Sequence, residues 1–175
     1  SKDLINAIWL IIILTDILGK ETVFITKIGE TGSVNWRKSY FINDSTSVEK
    51  VIATSDNEYL VLANTTKYNT TNNNPACKSD VLLMKLDING DFIWAKQYGG
   101  NNDDFGYDLE EKLALDGYVV VGSSISFSEP AQGLTNAFVF QTNTVGSENG
   151  KITYGGTNID IAYEIEPVSD GYLIC

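Results

Sequence analysis

The chain has 175 residues, of which 43% are hydrophobic and 11% aromatic, so it can build one domain with a sizeable core and does not have a disordered composition. Acidic residues outnumber basic ones by 23 to 12, and the net charge of −11 argues against nucleic acid as a partner. There is no histidine, which excludes Ser-His-Asp and Cys-His catalytic sites and every zinc site that needs imidazole.

The most apolar run of the chain lies at its start, in AIWLIIIL at Ala7–Leu14. This run is far shorter than the roughly 20 residues that cross a bilayer. Two interpretations stay open. The run is a β-strand, because NAIWLIIILTD stands before Thr22 much as NEYLVLANTT stands before Val81; or it is the remnant of a signal peptide or membrane anchor. Such an anchor is the only membrane association that the sequence suggests.

Three similar segments occupy most of the chain. VFITKIGETGSVNWRKSY at Val23–Tyr40 aligns with VLLMKLDINGDFIWAKQY at Val81–Tyr98, and GGNNDDFGYDLEE at Gly99–Glu111 aligns with GGTNIDIAYEIEP at Gly155–Pro167. Self-similarity of this kind predicts a repeat protein. We expect a single repeat-built domain over residues 1–175, with repeats at 22–79, 80–136 and 137–175, and residues 1–21 as a strand of a preceding repeat or a signal or anchor remnant.

Each repeat contains four runs that are typical of strands, rich in β-branched and aromatic residues. One complete set, from the innermost strand to the outermost, is Phe105–Leu115, Tyr118–Ser124, Ala137–Thr142 and Lys151–Tyr154. Four antiparallel strands in a period of about 54 to 60 residues predict an all-β fold, a β-propeller or partial propeller. Because propellers have four to eight blades, we expect the remaining blades from a longer chain or from self-assembly.

The segment KLDINGDFIWAKQYGG, at Lys85–Gly100, offers two interpretations. Asp87, Asn89 and Asp91 alternate as the first ligands of a calcium loop do, yet Asn-Gly is also a hairpin dipeptide. The aligned segments of the other repeats are GETGS and NTVGSENG, which keep a glycine but not the acids. We therefore predict a hairpin turn between the third and outer strands.

The repeated pattern K-[IL]-D-x-N-G-x-x-x-W-x-K-x-Y-G-G-x-x-x-D, followed by D-G-Y-x-[IV]-x-G, is best matched by KLDINGDFIWAKQYGGNNDD and DGYVVVG. It resembles the tandem β-propeller repeats of bacterial and archaeal secreted or surface proteins. The first copy lacks the Asp and the Gly-Gly, and the third replaces the tryptophan strand with GKITYGG. The resemblance implies a propeller fold and an extracellular or cell-surface location. It carries over no catalytic residues.

Two groups of acidic residues are candidate metal ligands. Glu49, Asp108 and Glu164 fall at one aligned position of the predicted inner strands, where they would line a central channel if they do not simply face solvent. Glu110 and Glu166 add a second position in two copies. The crossing loops between repeats carry Asp103, Asp104 and Asp160, whose oxygens suit Ca²⁺ but are equally suited to capping turns. No other cofactor is expected.

The long loops between strands are the candidate binding face, since loops carry function more often than scaffolds do. The residues proposed for ligand contact are Tyr68, Asn69, Asn72, Asn73, Asn74, Glu129 and Gln132. N-x-[ST] sequons occur at Asn43, Asn64 and Asn69, and the two cysteines are Cys77 and Cys175. Two cysteines allow at most one bridge, and unpaired thiols are the simpler expectation.

These features lead to one main hypothesis about function. We expect a non-enzymatic repeat module of a secreted or surface protein, which uses its long-loop face for binding to a protein or glycan, for adhesion or for scaffolding. One alternative is a propeller enzyme with a metal or cofactor at the mouth of its channel; another is a purely structural spacer. A catalytic site usually breaks repeat symmetry, whereas the acids described above largely follow it.

Overall fold

The computed structural model describes residues 8–15, 21–42, 45–67, 78–127 and 134–175. Within these ranges the chain forms strands and turns, and no helix. The strands are β1 (Ile8–Thr15), β2 (Glu21–Ile28), β3 (Val34–Phe41), β4 (Ser45–Ala53), β5 (Tyr59–Lys67), β6 (Lys78–Leu86), β7 (Phe92–Tyr98), β8 (Asp104–Glu111), β9 (Gly117–Ser124), β10 (Asn136–Asn143), β11 (Glu148–Tyr154), β12 (Ile165–Val168) and β13 (Gly171–Ile174).

These strands form four antiparallel sheets that follow one another along the chain. The first sheet is β1–β2–β3, the second β4–β5–β6–β7, the third β8–β9–β10–β11 and the fourth β12–β13. In every sheet, strands that are consecutive in sequence are neighbours. The all-β prediction of repeated, four-stranded antiparallel units is confirmed, but the described strands do not close into a barrel or a propeller. The predicted inner strand is too long, since β8 ends at Glu111 and Leu115 adopts a left-handed φ of 56° in the following turn.

The middle strands of each complete sheet are buried on both faces. On β5, Leu60 and Leu62 face the third sheet, whereas Tyr59 and Val61 face the first, and all four are fully buried. Side chains alternate along a strand, so a strand that is covered on both faces needs a continuous apolar run. The run YLVLA at residues 59–63 meets this need.

Successive sheets pack face to face through three apolar clusters. The cluster between the second and third sheets is the largest: it includes Leu83 of β6, Leu109 of β8 and Phe140 of β10. A second cluster joins the first and second sheets, and a third joins β9 to Ala162 and Ile165. The inner strands β4, β8 and β12 lie against one another in that order. Each sheet therefore buries its apolar faces only with the help of its neighbours.

The DINGD segment is the β6–β7 hairpin, which confirms the turn prediction. The Asp87 Oδ1 atom accepts the backbone N–H groups of Asn89 and Asp91, at 2.8 and 2.7 Å, and Gly90 takes a φ of +76°. In the third sheet, Asn143 makes the same bonds with its amide oxygen. An Asx turn needs one side-chain oxygen and a left-handed glycine, so the acids are free to vary between copies.

The recurrent tryptophan, lysine and tyrosine of the outer strands hold the hairpin of the next sheet. Trp36 Nε1 donates to the Ile88 carbonyl at 3.1 Å, and Tyr40 donates to the Gly90 carbonyl at 2.6 Å. Tyr98 repeats the second bond with Gly146, also at 2.6 Å. The W-x-K-x-Y pattern is thus an attachment between repeats.

A buried lysine forms a second attachment between sheets. Lys85 of β6 is only 2% exposed, and its ammonium donates to the Tyr118 hydroxyl of the next sheet at 2.6 Å. Lys27 donates to Tyr59 at the same distance. The lysine and the tyrosine of the repeat pattern therefore pair across the interface between sheets. The third copy carries Gln141 at the lysine position.

Candidate functional site

One end of the stacked sheets carries the connections that were predicted to form the binding face. Because neighbouring strands are antiparallel, the connections that follow β5, β7, β9 and β11 all leave from the same end. Backbone bonds join these connections: Ile125 N donates to the Asp103 carbonyl at 3.1 Å, and Asp160 N donates to the Thr135 carbonyl at 2.9 Å. Asn102 N also donates to the Ser126 hydroxyl at 2.9 Å.

The residues predicted to contact a ligand belong to two of these connections, after β5 and after β9. All of them lie outside the described residues, and their role stays a prediction: Tyr68, Asn69, Asn72, Asn73, Asn74, Glu129 and Gln132. The same is true of Asn43 and Cys77. Cys175 is an exposed free thiol.

In the crossing loops, Asp104 and Asp160 hold the backbone of the glycine pair that precedes them. Asp104 is fully buried, and its Oδ2 accepts Gly100 N at 2.8 Å while its Oδ1 is bonded to the Ser124 hydroxyl. Asp160 accepts Gly156 N at the same distance of 2.8 Å. This is the turn-capping alternative for these residues, repeated at equivalent places.

Asp103 ties the crossing loop to the start of β6. Its Oδ1 accepts Ser79 N at 3.0 Å, and its Oδ2 lies 3.6 Å from the ammonium of Lys78. Among the described residues, no three acidic or cysteine side chains are arranged to hold a metal ion. The three crossing-loop aspartates are therefore spread over separate structural contacts.

The strand register corrects the alignment of the predicted channel acids. Both β4 and β8 contain a bulge, at Glu49 and at Tyr107, where the pairing register shifts by one residue. After the bulges, Lys50 pairs with Leu62, and Asp108 pairs with the equivalent Val121. The residue that matches Asp108 is thus Lys50 and not Glu49, so a ring of aligned acids is wrong for this position.

Lys50 and the acids of β8 form a cluster that links three sheets. The Lys50 ammonium lies 2.7 Å from Asp108 Oδ1 and 2.8 Å from Glu110 Oε1, and the other oxygen of Asp108 accepts Ile165 N at 2.9 Å. Burial disfavours the charged lysine, but hydrogen bonds and charges of the two carboxylates outweigh it and raise the pKa of Lys50. These two predicted channel acids therefore share one lysine of the neighbouring sheet.

The remaining channel acids, Glu49, Glu164 and Glu166, have other partners. Glu49 accepts hydrogen bonds from Ser47 at 2.7 Å and from the Asn64 side chain at 3.1 Å. Glu164 and Glu166 are exposed, and the Cys175 thiol lies 3.6 Å from Glu164. Asp108 and Glu110 share Lys50, but among the described residues the predicted acids form no group of three that could hold a metal ion.

Asn64 has a role that its sequon did not indicate. It is buried at 6% exposure, its Nδ2 donates to the Gly106 carbonyl at 3.0 Å, and its Oδ1 accepts Gly106 N at 2.8 Å. Both polar ends of the amide are used to join the second sheet to the third. Asn64 is consequently inaccessible to a glycan in the folded chain. The sequence did not indicate these contacts of Asn64 or those of Lys50, because their partners are distant in the chain and follow no motif.

In comparisons with known proteins, no family model matches the chain and no curated protein sequence is significantly similar to it. Within the described part of the chain, no helix has the length and apolar character needed to cross a membrane.

Proposed function

We propose that the chain is a non-enzymatic binding module built from β-propeller-type repeats, and that it belongs to an extracellular or cell-surface protein. One observation carries this proposal: the second and third sheets repeat the same four-stranded plan and attach to their neighbours by equivalent bonds. The contacts among the inner strands β4, β8 and β12 support an arrangement of blades around an axis. The resemblance of the repeat pattern to secreted propeller repeats supports the location.

Two features favour binding over catalysis. The acids that could have served a reaction hold turns or pair with lysine, as Asp104 and Asp108 do. The scaffold instead gathers its longest connections at one end, where backbone bonds between loops give them a rigid base. A rigid base under variable loops is a common arrangement for recognition of a protein or glycan.

The proposal is tested by immobilising the chain and probing it with glycan and peptide arrays. Residues 70–76 are replaced by a Gly-Ser segment of equal length, and the matched control replaces residues 113–116 at the opposite end of the sheets. We expect binding to be lost in the first variant and kept in the second, with thermal unfolding unchanged by more than a few degrees in both. Equal binding by both variants, or the absence of any ligand on the arrays, would overturn the proposal.

A further inference from the structure

A groove of about 500 Å³ opens between the first two sheets. Tyr40 lines it from the outer strand of the first sheet, Leu82 and Met84 from β6, and Phe92 and Ala95 from β7. Phe92 is 60% exposed at its rim. Pockets that hold small groups are of this size and are mostly apolar.

The equivalent space between the second and third sheets is filled by aromatic rings. Phe138 and Phe140 stand 56 residues after Leu82 and Met84 and are both fully buried. The Phe140 ring stacks on Tyr98 with its centroid 4.7 Å away. The groove therefore arises because the first interface has two smaller, aliphatic side chains where the second has phenylalanines.

A third ring completes the filling of the second interface. Phe127, from the connection after β9, packs edge-on against Phe138 with a centroid separation of 5.5 Å. The Lys151 ammonium lies 3.7 Å from the centroid of the Phe127 ring, a cation–π contact. In the second sheet, the position equivalent to Lys151 is occupied by Ala95, which is exposed. The groove thus corresponds in position to the place that Phe127 fills in the next interface, without the cation that Lys151 supplies there.

Negative charge is in excess at one end of the groove, where the hairpin carboxylates of Asp87 and Asp91 are accompanied by one lysine, Lys38, whose ammonium lies 2.7 Å from Asp91 Oδ1. Burial raises the pKa of Tyr40, and the carboxylates of Asp87 and Asp91 in the adjacent hairpin raise it further. The whole chain carries a net charge of −11. A positively charged group beside the ring would complement this excess of negative charge, and it would also restore the cation that Lys151 provides in the second interface.

We propose that this groove binds an aromatic side chain of a partner polypeptide, presented next to a basic residue. The site is formed by the outer strand of the first sheet and by β6 and β7 of the second. Aromatic side chains that enter preformed pockets commonly anchor protein interfaces.

The single methionine of the chain provides the assay. Met84 lines the groove, so its methyl resonance reports on any ring that enters. The chain is titrated with the capped peptide Lys-Phe-Lys, and with Lys-Ala-Lys and Glu-Phe-Glu as controls. We expect a saturable, ring-current shift with the first peptide, half-complete below about 10 mM, the weak range suited to one anchored ring. The alanine peptide should give no saturable shift, and the acidic peptide should bind several-fold more weakly.

Two variants are designed to block the groove, and a third variant serves as their matched control. Leu82→Phe installs the ring of the next interface, and Ala95→Phe adds a ring at an exposed position of the same groove. Each should weaken binding of Lys-Phe-Lys at least tenfold. Ile152→Phe adds the same ring on exposed β11, away from the groove, and should leave binding unchanged. Because Ala95 is exposed, its variant remains informative if Leu82→Phe does not fold.

Three results would overturn the proposal. The first is no saturable shift of the Met84 methyl with Lys-Phe-Lys, and the second is equal binding of the acidic peptide. The third would be evidence that Tyr68 of this chain occupies the groove. Tyr68 precedes Phe127 by 59 residues, the same spacing that separates the equivalent residues Tyr59 and Tyr118. If Tyr68→Ala strengthens peptide binding tenfold or more, a side chain of this chain is the occupant. Unchanged binding in that variant supports an external partner.

Discussion

Replacing Lys85 with methionine tests whether the buried lysine stabilises the stack of sheets. The ammonium donates to Tyr118 at 2.6 Å and to Thr54 at 2.8 Å, and it forms ion pairs with Asp56 at 3.1 Å and Glu58 at 3.3 Å. Methionine keeps the length of the side chain and removes all of these contacts. The Tyr118 hydroxyl, in a residue that is 1% exposed, would lose its partner.

The size of the expected stability loss in Lys85→Met follows from how deeply each partner of the ammonium is buried. A hydrogen bond to a charged group is worth about 1.5–3 kcal/mol when its loss leaves a buried partner unsatisfied, which applies to Tyr118. Asp56 and Glu58 are 47% and 32% exposed, so water screens their ion pairs and reduces them to about 0–1 kcal/mol each. Relief of the desolvated ammonium offsets part of the loss. We expect a net loss of about 2 kcal/mol, or a drop of roughly 4–8 °C in melting temperature.

The assay is chemical and thermal unfolding of Lys85→Met, Tyr118→Phe and the double variant. A coupling free energy of about 1 kcal/mol or more is expected from the cycle. Lys85→Gln should lose less, because glutamine can still donate to Tyr118 and occurs naturally at position 141. The control is Lys38→Met, whose exposed pair with Asp91 should cost no more than about 0.5 kcal/mol. Unchanged or raised stability in Lys85→Met would refute the reasoning, since desolvation would then cancel the bonds.

The contacts of Lys85 also make the stability difference between the wild-type chain and Lys85→Met depend on pH. Although burial opposes both charges, the pKa of Lys85 is raised by its bonds to Tyr118 and Asp56, and the pKa of Asp56 is lowered by bonds from Thr54 and Lys85. The lysine contribution is therefore present below its unfolded pKa of 10.5 and lost at higher pH. The aspartate contribution is present above its unfolded pKa of 3.8 and lost as pH falls through the lower folded value.

Three further predictions concern other contacts. Gly90→Ala should lower the free energy of unfolding by about 1–3 kcal/mol, because alanine is strained at a φ of +76° and its Cβ would lie 2.8 Å from the Trp36 ring. In the control Gly171→Ala the added Cβ meets no atom within 4 Å, so stability should change by less than about 0.5 kcal/mol. Equal effects of the two substitutions would contradict this reasoning. Asn64→Ala should cost about 2–3 kcal/mol in urea unfolding, because both polar groups of buried Gly106 lose their partners, and a neutral change would count against the contact. Millimolar Ca²⁺ should leave the melting temperature unchanged, because the crossing-loop aspartates hold backbone amides, and a rise of several degrees that EDTA reverses would show otherwise.

The repeat was predictable from the sequence because its parts are local. Asn89-Gly90 fixes a turn wherever it occurs, and alternation of apolar residues fixes the faces of a strand. The bulge in the inner strand was not predictable, because nothing at Glu49 marks an extra residue in one strand of a pair. That one residue moved the aligned position from Glu49 to Lys50, and with it the charge at the inner edge changed sign. A shift of one residue in the pairing register moves every following side chain to the opposite face of the sheet. The position of each charged side chain therefore depends on the register.

The contacts between sheets also explain why one interface has a groove and the next does not. Among the described residues, the main contacts between sheets join consecutive sheets, so the packing of one interface can differ from that of the next. The copies differ in this way at two places. Gln141 replaces the buried lysine in the third copy, and Leu82 and Met84 stand where the next copy has phenylalanines. The first interface keeps both attachments, through Lys27 and Tyr40, while its outer part is left open. Because those attachments hold the sheets together, the aromatic filling is not needed for stacking. The groove can therefore stay open while the two sheets remain joined.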